Sequence, residues 1–169
     1  MTSTSTDAEF EAFVDANHAY LSRAAYLITS DRAVAEDLLQ EALVRTYRAW
    51  RRIEPGLARA YCRRTMVNLT TDRWRRRRFE APAVEPVDRA DPRADRDYAG
   101  VDDRDAIARE LAALPPRERA VVVLRFYADL SEADVAAELG IALGTVKSTC
   151  HRALQRLRSH LGPELSHGG

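Results

Sequence analysis

Apolar residues recur along this chain at helical intervals, and polar or proline-rich stretches divide the pattern into segments. Phe10, Phe13, Val14, Tyr20, Leu21, Ala24 and Leu27 fall at spacings near 3.6, the period that lines one helix face. Thr6-Asp7-Ala8-Glu9 has the form of a capping box and predicts a helix from there to about Thr29. Ser30-Asp31 then starts a second helix, predicted to run to about Arg52, with Val34, Ala35, Leu38, Leu39, Ala42, Thr46 and Trp50 on its buried side. Asp37, Gln40, Glu41, Val44 and Arg48 fall on the other side. Glu54-Pro55-Gly56 is a turn, and Leu57, Tyr61, Thr65 and Leu69 mark one face of a third helix, Ala58 to Arg78.

From Phe79 to about Arg104 the periodicity dissolves into Pro82, Pro86, Pro92 and mixed Asp and Arg, the composition of an extended, flexible linker. Order resumes with Ile107, Leu111 and Leu114, and Pro115-Pro116 fits a break followed by the first position of a helix from Arg117 to Tyr127. Val121 to Leu124 is β-prone but flanked by helical spacing, so no strand is predicted. Ser131 can cap the next helix, and Gly140 stands where a helix end wants a left-handed residue. Val146, Cys150, Ala153, Leu154, Leu157 and Leu161 give the last helix a buried stripe. The predicted fold is therefore all-α: two small helical domains, 7–78 and 105–162, joined by the acidic linker 79–104 and followed by a disordered tail, 163–169.

A chain of 169 residues with 46% apolar residues suffices for such cores. No run approaches the roughly 20 apolar residues of a membrane-spanning helix, and the first residues lack a signal-peptide pattern, which places the protein in the cytoplasm without membrane insertion. Cys62 and Cys150 have no ligand spacing, so neither disulfide nor metal is expected. Net charge is zero, yet its distribution is uneven: about −4 over residues 1–50, +8 over 51–78, −5 over 79–110 and +1 beyond. The basic segment contains Arg73-Trp74-Arg75-Arg76-Arg77-Arg78.

Leu130 to Leu161 reads as a helix, a glycine turn and a second helix with a polar face, the pattern of a helix-turn-helix, whose second helix sets its N-terminal residues at base edges in the major groove. Its exposed set is Thr145, Lys147, Ser148, Thr149, His151, Arg152 and Arg156. Lys147 and Arg156 suit phosphates, while Ser148 and Arg152 suit bases, arginine pairing best with guanine. A plain helical hairpin is the alternative. Around the arginine run, Tyr61, Asn68 and Trp74 lie among Arg59, Arg63, Arg64 and Arg73, which combines phosphate neutralisation with groups for unpaired bases. A solvated helix end, with Trp74 in the core, would look the same. Asp37, Gln40 and Glu41 share one helix face, either solvated or turned to a basic protein partner. Scattered histidines and the lack of a nucleophile motif argue against an enzyme, and no cofactor is expected.

Three blocks in order, Ala35 to Trp50, Leu114 to Tyr127 and Leu139 to Ser148, resemble bacterial sigma factors of the extracytoplasmic-function group, which keep only the second and fourth conserved regions. The likeness spans about Phe10 to Leu161 and is strongest to actinobacterial members. It implies that Asp37, Gln40, Glu41 and Val44 dock on the clamp helices of the RNA polymerase beta-prime subunit, and that the fourth region meets the beta flap. It implies that the loop Arg51 to Leu57 and the third helix open the minus-ten promoter element and hold a flipped base, with Asn68 the best single candidate. Arg51, Arg52, Arg63, Arg64, Arg73, Trp74, Arg75 and Arg76 would share that contact. The seven residues from Thr145 to Arg156 named above would read the minus-thirty-five element. An anti-sigma protein is a further partner such members can have. Members often carry Arg then Leu after Val-Lys-Ser; Thr149 and Cys150 stand there instead, which removes a cation expected at the DNA. The competing readings are a dimeric helix-turn-helix regulator and a protein-binding adaptor.

Overall fold

The computed structural model describes residues 3–80 and 103–162. Seven α-helices follow in chain order among them: α1 (Ser3–Thr29), α2 (Arg32–Ala49), α3 (Ala58–Glu80), α4 (Asp103–Ala112), α5 (Pro116–Val122), α6 (Glu132–Leu139) and α7 (Leu143–Leu161). A 3-10 turn, Trp50–Arg52, extends α2, and a π-helical stretch, Val123–Tyr127, extends α5. Two compact units divide these elements. α1 to Tyr26, α2 and α3 form one; α4 to α7 form the other, to which Leu27–Asp31 also belong.

In the first unit α2 and α3 pack along each other. Ala35, Leu38, Leu39, Ala42, Thr46 and Ala49 of α2 meet Cys62, Met66, Val67 and Leu69 of α3, with Leu21, Ala24 and Ala25 of α1 also buried. Each fully buried Leu38 or Met66 contributes about 1.5–3 kcal/mol by leaving water. Thr46 is tolerated there because its hydroxyl donates to the Ala42 carbonyl at 2.7 Å. The half-buried rings of Phe10 and Phe13 pack on Trp50 at 5.1 and 5.2 Å, and Phe10 meets Tyr47 edge-on at 5.0 Å, fastening α1 to the end of α2.

Two expectations change in this unit. The helix begins before Thr6, so the expected capping box lies inside it, where Ser5 Oγ donates to Glu9 Oε1 at 3.2 Å as an ordinary i,i+4 pair. The inward face of α3 is also rotated from the one the spacing predicts. Leu57 and Tyr61 are exposed, Cys62 and Met66 take the inner positions, and Leu69 of the expected stripe is buried with them. Both stripes have helical spacing; packing against α2 selects the second one.

In the second unit Pro115 occupies the N-cap of α5 and Pro116 its first position, as expected. Val121, Val122, Val123 and Leu124 are all buried, so over these four positions the helix is enclosed and its valines serve packing rather than a strand. The π stretch ends the helix with Ala128 N–H donating to Val123 O at 3.0 Å. Ser131 Oγ accepts from Asp134 N–H at 3.1 Å and caps α6, while Gly140 closes it at φ 64°. Val135, Leu139, Val146, Cys150 and Ala153 complete the core. Ile107 and Leu161, expected to be inward, are exposed: α4 turns Ala108, Leu111 and Ala112 inward instead of Ile107, and Leu161 is the last residue of α7. Most of the expected linker 79–104 and all of the tail 163–169 lie outside the described residues. No described helix is long and apolar enough to cross a membrane.

Candidate nucleic-acid and partner interfaces

Three surfaces carry the chemistry that the sequence points to. The first is the outer face of α2. Asp37 and Gln40 are exposed, Glu41 is half-buried, and Val44 is 50% exposed one turn further on. Tyr47, 43% exposed, extends the stripe by another turn. It was missed by the sequence reading, although its i+3 spacing from Val44 places it there. The Tyr47 hydroxyl donates to Asp7 Oδ1 at 2.5 Å, and this bond pushes its pKa up. Glu41 accepts from Arg45 at 2.7 Å and lies 3.6 Å from Arg73. The result is an acidic patch with two exposed apolar side chains beside it, a combination suited to a basic protein surface.

The second surface lies at the junction of α2 and α3. Gly56, at φ 87°, turns the chain so that the loop folds back over the start of α3. A cleft of about 570 Å³ opens there, lined by Arg52, Ile53, Glu54, Leu57, Tyr61 and Arg64 among others. Ile53 and Leu57 supply apolar walls, Tyr61 an exposed ring for stacking, and the two arginines positive charge. Glu54 offers an acceptor for an exocyclic amino group. Ile53 and Glu54 belong to the expected loop Arg51 to Leu57 without being singled out in it; the loop's curvature brings them to Tyr61. Asn68 is exposed on the same face of α3, one turn beyond Arg64, but does not line the cleft.

Further along α3, Arg75 and Arg76 are exposed and Arg73 and Trp74 half-buried. Arg51 is exposed at the loop. Arg63 is a correction: it is only 8% exposed, because the rotated α3 stripe turns it inward, and it does not present its guanidinium on an open surface. Arg59 lies with its guanidinium 4.8 Å over the Tyr20 ring, a cation–π contact tying α3 to α1.

The third surface is α7. Lys147, Ser148, His151, Arg152 and Arg156 are exposed and Thr145 half-buried, a face about three turns long. Leu143, 44% exposed at the helix start, joins it as an apolar contact of the kind that fits a thymine methyl. Thr149 is the correction here. It is 1% exposed, inside the core, since the i, i+3, i+4 stripe of Val146, Thr149, Cys150 and Ala153 faces inward. Its hydroxyl still accepts from Arg152 Nη2 at 3.4 Å. Glu118 of α5, with its side chain 4% exposed, sends one carboxylate oxygen to Arg156 Nε at 3.2 Å and the other to Arg152 Nε at 3.9 Å. Burial pushes the thiols of Cys62 and Cys150 up from their ordinary value. Among the described residues no three His, Cys, Asp or Glu side chains gather into a metal-holding group.

Residues 13–80 match the family model Sigma-70 region 2, and residues 104–157 match Sigma-70, region 4. The chain is 44% identical over 156 residues to the RNA polymerase sigma-E factor of Streptomyces coelicolor, covering 90% of this chain and 86% of that protein. It is 36% identical over 154 residues to the ECF RNA polymerase sigma factor SigM of Mycobacterium tuberculosis, covering 90% and 77%. Among solved structures it is similar to the sigma factor RpoE from Bartonella quintana, crystallised with the anti-sigma factor NepR, at a TM-score of 0.65 and 25% identity over 90% of this chain and 96% of that one.

Proposed function

The chain belongs to the sigma-70 family of RNA polymerase sigma factors, in its extracytoplasmic-function group, and from that premise we propose that it binds core RNA polymerase, directs it to promoters and assists strand opening. The observation that carries this reading is one chain holding an acidic docking face, a cleft for an unpaired base and a DNA-reading helix on separate surfaces. A conventional dimeric helix-turn-helix regulator has no use for the first two, and the region 2 match covers both.

Each surface receives a role in this reading. Asp37, Gln40, Glu41 and Val44, with Tyr47, dock on the beta-prime clamp helices. The cleft takes a flipped non-template base of the minus-ten element, with Tyr61 stacking on it and Arg52 and Arg64 holding phosphates; Arg51, Asn68, Arg73, Trp74, Arg75 and Arg76 continue the strand's path. Leu143, Thr145, Lys147, Ser148, His151, Arg152 and Arg156 read the minus-thirty-five element, and the same unit meets the beta flap. The domains are 7–78, 79–104 as linker, 105–162 and the tail 163–169. The protein works in the cytoplasm, without catalysis or cofactor of its own, and takes an anti-sigma protein as a further partner, as the Bartonella sigma factor does.

Nothing here needs covalent chemistry. Melting costs a few kcal/mol, and pocketing the extruded base offsets it. Weak DNA binding by the free chain follows from its zero net charge; the polymerase brings the two DNA-reading surfaces into register and so raises their effective concentration. The test is transcription of fragmented actinobacterial genomic DNA by core polymerase with this chain, followed by sequencing of the transcript starts. Starts sharing two spaced elements are expected; unchanged initiation would remove the reading.

A further inference from the structure

Within the DNA-reading unit, the most unusual group is an acid placed under a basic face. Glu118 sits in the first turn of α5 with its side chain 4% exposed, yet its carboxylate is turned to α7 rather than to water. Each of its oxygens faces a different arginine, Arg156 at 3.2 Å and Arg152 at 3.9 Å, and those two lie one turn apart on the exposed face of the reading helix. Arg152 is held a second time by the buried Thr149 hydroxyl at 3.4 Å. Both arginines remain at least half exposed, 59% and 50%, so their outer N–H groups are free to meet a ligand.

We propose that Glu118 is a positioning residue for sequence reading: it fixes Arg152 and Arg156 so that the guanidinium of Arg152 meets base edges in one orientation. This rests on the sigma reading above and deepens its minus-thirty-five contact. An arginine on a helix surface has many rotamers, and a bidentate contact to guanine accepts few of them. The ion pair at Nε and the Thr149 contact at Nη2 turn one edge of the Arg152 guanidinium inward and leave Nη1 and the second Nη2 hydrogen directed outward, so less conformational freedom is lost when DNA arrives. Thr149 takes part in the same device. Buried in the core, it is a second anchor for Arg152.

The alternative is that Glu118 only neutralises two crowded cations. The two roles predict opposite things for Glu118→Gln, which keeps the shape and removes the charge. Simple neutralisation predicts tighter, more salt-dependent DNA binding with base preference unchanged, because the face gains net positive charge. Positioning predicts that discrimination falls even if binding strengthens.

The experiment uses polymerase holoenzyme assembled from core enzyme and the full chain, transcribing a promoter and its single-base variants across the minus-thirty-five element. In Glu118→Gln, the ratio between the best promoter and the variants at one or two positions should fall by about tenfold, the discrimination of one good bidentate contact. The effect should vanish in an Arg152→Ala background, because Glu118 acts through that arginine. Thr149→Val, which keeps volume and fold, should lower the ratio at the same positions and covers the case in which Glu118→Gln does not fold. Unchanged ratios in both variants, with wild-type protein initiating specifically, would overturn the proposal alone. If wild-type protein gives no specific starts, the sigma reading itself falls first.

Discussion

Glu41 Oε2 lies 3.6 Å from Arg73 Nη2, so the acidic face of α2 and the start of the arginine run on α3 are joined by an ion pair. The sequence presents them as two independent surfaces of opposite charge. In the fold they are neighbours, and Glu41, which also holds Arg45 at 2.7 Å, is the group where they meet. Both side chains are more than a third exposed, so the pair is a surface one and adds little to stability.

That weakness separates docking from folding. Glu41→Gln should change unfolding free energy by less than about 1 kcal/mol in urea titrations. Asp37→Arg/Glu41→Arg should lower affinity for core polymerase by tenfold or more, read by fluorescence binding. A large loss of stability would mean that the face is part of the fold and not a docking surface.

The rotated face of α3 gives a sharp comparison. Met66→Ala, at a side chain with no exposure, should cost about 2–5 kcal/mol. Leu57→Ala, at one that is 51% exposed, should cost less than about 1 kcal/mol. Chemical denaturation of both variants decides between the two stripes.

Tyr61 belongs to the cleft and not to the core. Tyr61→Ala should leave the melting temperature within a few degrees of wild type and yet reduce open-complex formation about tenfold, since a base stack contributes about 1–3 kcal/mol. Permanganate footprinting of the promoter reads the strand opening directly. On a template with a pre-melted bubble the deficit should shrink.

Two caps hold α6 in place ahead of the reading helix. Ser131→Ala removes the acceptor of Asp134 N–H and should cost about 1 kcal/mol. Gly140→Ala meets no neighbouring atom, so its cost, also about 1 kcal/mol, comes from the left-handed backbone at φ 64°. Gly140→Asn should cost less. Thermal unfolding of the three variants gives the order.

Burial raises the Cys62 thiol, and Cys150 follows for the same reason. Below the thiol's ordinary value of 9.0 both folded and unfolded chains keep these protons, and stability is unaffected. As pH rises past it the unfolded chain loses protons that the folded one retains, so this part of the stability declines. Urea midpoints should therefore drop in the alkaline range, and iodoacetamide at about pH 8 should label the thiols slowly in buffer and quickly in urea.

Much of this was legible in the chain itself. Pro115-Pro116, Ser131 and Gly140 act through their own backbone restrictions or side-chain reach, so position alone reveals what they do. The three-block pattern identified the family, and the spacing of Asp37, Gln40 and Glu41 placed them on one face before any contact was known.

Tertiary structure decided what depends on a second element. α3 has two helically spaced stripes, and only packing against α2 chose Met66 over Tyr61, turned Arg63 inward and left a cleft beside Ile53 and Glu54. Thr149 has the polarity of a surface residue, but its position one turn from Val146 and Ala153 buries it, a preference that composition does not express. The pairing of Glu118 with Arg152 and Arg156 joins residues more than thirty positions apart. Periodicity within one helix fixes which residues share a face; which face turns inward, and what reaches across to hold it, depends on the surface that another helix brings.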